Sequence, residues 1–238
     1  MTSAVISHAC MNRDHPTTSA PVGFDPWPLL PKRAVAGRVA GLRLVIHGRS
    51  GGVVPSCFQD LLMAVSDIRE APVELEVLTA EQPEPACCDC QWLVPLLLLP
   101  GSHARCDVPQ IRDRLRREGV VVKPLPFLGS WEYWRLLMSG WIADVAAQHP
   151  SLALVHHPLR PGLPDRFLNS IQRRFALPLV PFDRWDRFAV EHPNVVPLPL
   201  SLAPNRMSEA LRQVGGLPSL LEDPSLRRGL IHCLAALP

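Results

Sequence analysis

The stretch Leu42-Arg43-Leu44-Val45-Ile46-His47-Gly48-Arg49-Ser50-Gly51-Gly52 decides the reading of this 238-residue chain. Its first five residues form a short strand-like run that stops at His47-Gly48. A Gly-rich turn follows, and Pro55 is placed to open a helix through Ile68, because proline fits the first helical turn. Downstream, Val73–Leu78, Trp92–Leu99 and Val120–Lys123 read as further strands. Asp107–Arg117 reads as a helix with Asp107 as N-cap and Gln110 three residues on. Ser130–Gln148 reads as a longer helix with Trp131, Trp134, Leu137, Met138, Trp141 and Val145 on one side. Strands alternating with helices predict parallel βαβ units, and the nearly continuous apolar strands predict helices on both sheet faces. The predicted class is α/β.

The chain after residue 150 echoes the chain after residue 40. Leu42–His47 aligns without a gap on Leu152-Ala153-Leu154-Val155-His156-His157, which sets His157 opposite His47 at an offset of 110. Val94–Asp107 aligns on Val196–Glu209 at an offset of 102, which sets Asn205 opposite His103 and Ser208 opposite Cys106. Two matches in the same order predict an internal duplication, with residues 37–149 as one half-domain and 150–238 as a second, degenerate half. Residues 1–36 carry Pro16, Pro21, Pro26, Pro28 and Pro31 among Ser and Thr and show neither a helical nor a strand period. They read as a flexible or extended arm. The first half keeps His47 and His103 whereas the second has only His157, so one working site built on the first half is expected.

Composition narrows the function classes. Hydrophobic residues make up 47% and charged residues 19%, below the roughly 25% charge of an average globular chain, which excludes overall disorder. The longest apolar run, Trp92 to Pro100, is interrupted by Pro95 and falls far short of the about 20 residues of a spanning helix, so no membrane association is expected. The first fifteen residues lack the apolar core of a secretory signal, and the expected compartment is the cytoplasm. Seven cysteines is an odd count. Cys87, Cys88 and Cys90 crowd into one tetrapeptide, so reduced thiols are expected rather than a disulfide framework. A net charge of +2 gives no basic field for nucleic acid. Only Lys32 and Lys123 are lysines and the other twenty-two cations are arginines. That bias suits a polyanionic small ligand, since the guanidinium fork pairs with carboxylates; it equally reflects GC-rich coding.

His47 stands at the carboxyl end of the first strand, and His103 follows the third in Leu99-Pro100-Gly101-Ser102-His103. Open α/β sheets bind ligands outside the carboxyl ends of their strands, so both histidines fall where function sits. A neutral imidazole ligates a divalent transition ion and accepts a proton near physiological pH. Ordinary surface or capping histidines are the competing reading.

The string Leu44-Val45-Ile46-His47-Gly48-Arg49-Ser50-Gly51, followed by Val94-Pro95-Leu96-Leu97-Leu98-Leu99-Pro100-Gly101-Ser102-His103-Ala104-Arg105-Cys106-Asp107-Val108-Pro109, resembles the class II tetrapyrrole chelatases. The nearest likeness is to the CbiX-like sirohydrochlorin chelatases that insert cobalt or ferrous iron, including cyanobacterial and plastid members. The second motif is the specific one, an apolar strand ending in a Leu-Pro-Gly-Ser-His turn before an Asp-Val-Pro helix start. In the first motif Arg49 precedes Ser50, the reverse of the family's usual order. The resemblance covers residues 42–125 well and 150–214 faintly. It implies two chelatase-like, flavodoxin-like half-domains fused in one chain. It also implies that His47 and His103 are the catalytic, metal-handling histidines, with Glu81 as an acidic partner. Arg49, Ser50, Gly101, Ser102 and Arg105 become the residues that contact the substrate.

The implied reaction inserts Fe²⁺ or Co²⁺ into a sirohydrochlorin-type tetrapyrrole for siroheme or cobalamin synthesis, with the metal as substrate and no organic cofactor. Metallation removes two pyrrole protons and moves an ion onto four nitrogens, tasks that imidazoles next to the ring centre assist. Sirohydrochlorin carries eight carboxylate arms, which gives cleft arginines a function. The rival reading is a degenerate member that carries tetrapyrrole or metal without turnover; a different tetrapyrrole such as protoporphyrin is a third. Histidines converging in one cleft favour the enzyme. Fusion of the halves makes a monomer the expected state. Glu84 and Asp89 share the linker with Glu81 and read as solvated carboxylates, and Arg112, Arg114, Arg116 and Arg117 as a solvated helix face. Cys87-Cys88-Asp89-Cys90 lacks the paired spacing of a zinc or cluster site. His157 reads as a relic lining the pocket, and Trp131, Trp134 and Trp141 as core packing.

Overall fold

The structure is a computed structural model that describes residues 25–30, 39–160 and 163–238. Among these the chain runs β1 (Gly41–Ile46), α1 (Ser56–Ser66), β2 (Val73–Val77), β3 (Cys90–Pro95), α2 (Val108–Arg117), β4 (Val121–Pro124) and α3 (Glu132–Gln148). It continues with β5 (Leu152–His156), α4 (Leu163–Phe175), β6 (Leu179–Pro181), α5 (Trp185–Glu191), β7 (Val196–Pro199), α6 (Arg206–Gln213) and α7 (Pro224–Ala235). One sheet has the order β2-β1-β3-β4 and the other β6-β5-β7. Every pairing is parallel. The α/β class with two helix-flanked parallel sheets is therefore as expected, and β2-β1-β3-β4 is the flavodoxin-like order.

The sheets have two working faces because side chains alternate along each strand. Leu42, Leu44 and Ile46 of β1 share one continuous core with Leu152 and Leu154 of β5, Leu198 of β7, and residues of α1, α3, α4 and α7. On the opposite face Val45 and Leu93 pack under Val108, Ile111 and Leu115 of α2. Ala153 and Val155 pack under Trp185 of α5 and Met207 and Leu211 of α6. Trp131 and Trp134 are buried in the shared core, so they serve packing.

The pairing registers correct the second sequence echo. Leu42 lies opposite Trp92, and its counterpart Leu152 lies opposite Val196. Leu96 N donates to Val45 O at 2.8 Å, and Leu200 N to Val155 O at 2.7 Å. Superposing β1 on β5 thus brings Leu96 onto Leu200, an offset of 104 rather than 102. Pro95, Leu98 and Pro100 then coincide with Pro199, Leu202 and Pro204, and His103 meets Met207 instead of Asn205. Pro197 and Pro199 recur at the strand period, so a two-residue slip keeps the same face buried and looks equally good in sequence.

Two other expectations shift. β3 ends at Pro95 rather than Leu99, because β1 has ended and Leu97 O accepts from Gly129 N at 3.1 Å instead. Asp107 has helical backbone angles and makes no capping bond. A π-helical turn, His103–Asp107, precedes α2 and carries the helix start forward to His103. Of the arm expected over residues 1–36, residues 1–24 and 31–36 lie outside the described residues. Trp27, in the described part, packs edge-on against Trp131 at 4.8 Å and donates through Nε1 to Cys233 O at 2.7 Å.

α7 is late in sequence yet packs on α1 and α3 of the first sheet's layer. Asp223 caps it by accepting from Ser225 N at 2.8 Å and Leu226 N at 3.2 Å, and Pro224 opens the helix. Its far end is tied down by Arg69, whose guanidinium donates to Leu237 O at 2.5 Å and to Ala40 O at 2.6 Å. Burying Leu226, Leu230 and Leu234 contributes roughly 5–9 kcal/mol before ordering entropy is subtracted.

Arg43, 0% exposed in the middle of β1, is the charge the apolar pattern concealed. It donates to Glu76 at 2.6 Å, Glu74 at 2.5 Å, Glu84 O at 2.9 Å and Pro85 O at 2.8 Å. Arg114 of α2 adds a second cation on Glu76 at 2.9 Å, so this member of the expected solvated face is engaged in the fold. Arg43→Met is expected to lower stability by about 3 kcal/mol, the scale for breaking a buried ion pair from one side. Urea denaturation reads the loss, and a change under about 1 kcal/mol would contradict this account.

Candidate active site

β1 and β3 are adjacent and parallel, so the segments leaving them emerge side by side. His47 leaves β1 through a turn that only glycine permits at the next position. Gly48 has φ 76°, and a Cβ there would lie 2.4 Å from Val77 Cγ1 and 2.7 Å from Thr79 Oγ1. The segment leaving β3 is held by a second close approach, where a Cβ on Gly129 would lie 1.9 Å from Leu98 O. That close approach holds Leu98 against the turn before α3. The rings of His47 and His103 consequently meet with centroids 4.7 Å apart and planes at 77°.

The hydrogen bonds assign the tautomers. His47 Nδ1 lies 2.8 Å from Gly48 O, and a carbonyl only accepts, so Nδ1 carries the proton and donates. His103 Nδ1 donates to the Asp107 carboxylate at 2.5 Å. The neutral form of each ring therefore keeps a lone pair on Nε2. Neutral imidazole nitrogens of this kind are donors suited to divalent transition ions. Among the described residues no group of three His, Cys, Asp or Glu is placed to hold a metal.

Both histidines line a cleft of about 1030 Å³ between the two sheets, at the upper end of small-molecule sites. The first half contributes Arg49, Ser50, Gly101, Ser102 and Arg105, together with Cys106. The second half contributes His157, Arg160, Leu200–Arg206 and Glu209. Glu81 is not brought to the cleft. It lies on the exposed turn after β2, which flanks β1 on the side away from β3. The carboxylate that meets a cleft histidine is Asp107 instead. The i, i+4 spacing of His103 and Asp107 on one helical turn was the available signal, and it was masked by the capping pattern.

The second half adds imidazoles of different character. His157 lines the cleft, where desolvation and then the neighbouring His47 and His156 hold it below the ordinary histidine range. His156 is 4% exposed and donates through Nδ1 to His157 O at 2.7 Å. Burial likewise lowers its pKa, against smaller opposing effects from the hydrogen bond to the His157 backbone and then from Asp183. The cysteine tetrapeptide carries free thiols away from the cleft, and desolvation followed by Glu74 pushes Cys87 up to about 12. No described helix is long and apolar enough to cross a membrane.

No protein-family model matches the chain, and no curated protein matches it. Solved structures do. The sirohydrochlorin chelatase SirB from Bacillus subtilis subspecies spizizenii, solved with cobalt, aligns at 19% identity and a TM-score of 0.56, covering 83% of this chain and 94% of that one. SirB from Bacillus subtilis with Fe³⁺ aligns at 17% identity and 0.60, with the same coverage. CbiX, described as the terminal enzyme of siroheme biosynthesis in denitrifying bacteria, aligns at 18% and 0.61, covering 84% of this chain and 100% of that one. At these identities the likeness establishes the shared two-sheet fold.

Asp107→Ala removes the partner that orients His103. It is expected to weaken Co²⁺ binding about 10- to 100-fold, the usual effect of losing such a partner. Absorbance titration with Co²⁺ measures it, and unchanged affinity would remove Asp107 from the site. His156 supplies a pH test. A pKa lower in the folded state means that the unfolded chain binds the extra proton, so stability is full above about 6.5 and falls as pH drops through the folded value. His156→Gln is expected to flatten that slope in thermal melts between pH 7 and 5.

Proposed function

We propose that this chain inserts a divalent metal ion, Fe²⁺ or Co²⁺, into a sirohydrochlorin-type tetrapyrrole for siroheme or cobalamin synthesis. The observation that carries the reading is the His47–His103 pair, two rings 4.7 Å apart with Nδ1 of each committed to a protein acceptor, lining a macrocycle-sized cleft. The three structural neighbours support it, since their descriptions are of sirohydrochlorin and siroheme chemistry and two were solved with cobalt or iron.

In this mechanism the cleft walls orient the ring and the imidazoles handle the ion. Arg49, Arg105, Arg160 and Arg206 line the walls and meet carboxylate arms through charge-assisted hydrogen bonds. Ser50, Gly101 and Ser102 form the turns against which the macrocycle edge rests. His47 and His103 hold the incoming ion through Nε2 while ring nitrogens replace its water. As each pyrrole N–H is lost, a neutral imidazole released from the ion accepts the proton and passes it to solvent. Asp107 favours that step by holding the His103 ring through Nδ1, which leaves Nε2 as the accepting nitrogen. The proposed working unit is a cytoplasmic monomer, because one chain supplies both walls. The catalytic pair comes from one half, and the carrier reading has no observation of its own to favour it.

Anaerobic absorbance assays of sirohydrochlorin with Fe²⁺ or Co²⁺ test the reading. The wild type is expected to exceed the protein-free rate, and His47→Ala and His103→Ala are each expected to lose about a hundredfold, the lower end for positioned acid–base groups. A wild type that merely matches the spontaneous rate would refute the function.

A further inference from the structure

Arg49 belongs to the turn after β1, yet it reaches across the cleft. Its Nη2 donates to Glu209 Oε1 at 2.5 Å and to Pro204 O at 3.2 Å, both on the opposite wall. The base of the arginine is held firmly, with Arg49 N donating to Val53 O at 2.8 Å and Arg49 O accepting from Thr79 Oγ1 at 2.6 Å. Glu209 stands in the first turn of α6, whose start is fixed by the reciprocal bonds of Asn205 and Ser208 at 3.0 and 2.9 Å. Among the described residues this is the one ion pair whose members both line the cleft. Its side chains are 44% and 50% exposed. Salt therefore screens the pair, and a competing carboxylate can reach it.

Resting on the chelatase reading, we infer that Glu209 is a specificity-determining carboxylate: it occupies Arg49 across the empty cleft, and a carboxylate arm of the macrocycle must displace it to reach the guanidinium. A ring with many arms presents the competing group at high local concentration, so it opens the bridge more readily than a ring with few. The released Glu209 keeps a cation within electrostatic reach, Arg212 on the same helix. Negative charge at position 209 thus penalises every anionic ligand, and only ligands that recover the Arg49 contact overcome the penalty. Glu209 acts through Arg49 and is a positioning residue.

Fluorescence titration with two metal-free probes tests this, an octacarboxylate porphyrin (uroporphyrin) and a dicarboxylate one (protoporphyrin), on wild type, Glu209→Gln, Arg49→Gln and the double variant. Glu209→Gln is expected to bind the octacarboxylate at least threefold more tightly and to narrow its preference over the dicarboxylate. Arg49→Gln is expected to bind it more weakly, and the gain from Glu209→Gln is expected to vanish in that background. Glu209→Asp keeps the charge, so retention of weak binding there separates charge from packing. An octacarboxylate affinity unchanged or weakened by Glu209→Gln, or a gain that persists without Arg49, overturns the inference. Metallation by the wild type is followed in parallel. Glu209-sensitive binding without metallation removes the chelatase function and leaves the bridge, metallation with Glu209-insensitive binding does the reverse, and no binding of either probe removes both.

Discussion

Parallel pairing of β1 with β3 is the interaction on which the cleft depends. With Leu44 opposite Val94 and Val45 opposite Pro95, the two strands leave the sheet at one edge, where the strand order changes direction. The segments that follow then have little freedom. Gly48 folds one back against Val77 and Thr79, and Gly129 presses the other against the start of α3. The pair is secured from the far face by Arg43, which joins β1 to Glu74 and Glu76 of β2 and to Gln91 of β3 at 3.4 Å. A buried cation with several acceptors fixes strand neighbours more specifically than apolar contact does, because a shifted register leaves charges unpaired.

Much of this was legible in the sequence because it rests on local periodicity. The strand-like run at Leu42–Ile46, the helix after Pro55 and the duplicated order of elements each follow from short patterns. His47 and His103 were legible for the same reason, as residues beyond strand ends. What escaped depends on contacts distant in sequence. Nothing near Arg43 announces Glu76, and nothing near Arg49 announces Glu209. Asp107 was read as a cap because Gln110 follows three residues on; the π-helical turn that brings it to His103 has no such local signature. Glu81 is exposed and does not line the cleft, although the loop after β2 touches the Arg49 turn through Thr79, so its placement turns on side-chain direction that no local pattern shows. The slipped second echo shows a limit of alternation itself, which constrains the face of a strand but not its position along the neighbour.

The sparseness of the metal ligands has a physical meaning. Structural metal sites close the coordination sphere with four protein donors and hold the ion tightly. In the proposed function, two imidazoles with ordered Nδ1 partners would hold the ion with few donors but in a defined place. An ion that must be surrendered to four ring nitrogens benefits from that arrangement, since tight protein binding would be uniform binding that the transfer has to undo.

The return of α7 onto α1 and α3 has a consequence for biosynthesis. A ribosome synthesises residues 41–124, including both cleft histidines, well before residues 224–237 emerge. Until they do, the first sheet's layer lacks Leu226, Leu230 and Leu234 on its inner surface, and Arg69 has no carbonyls from that segment to hold. The nascent first half therefore waits partly open with apolar surface exposed. The finished cleft then arises only with a late docking event of high contact order. A chain interrupted anywhere in its second half would carry both histidines and no finished cleft.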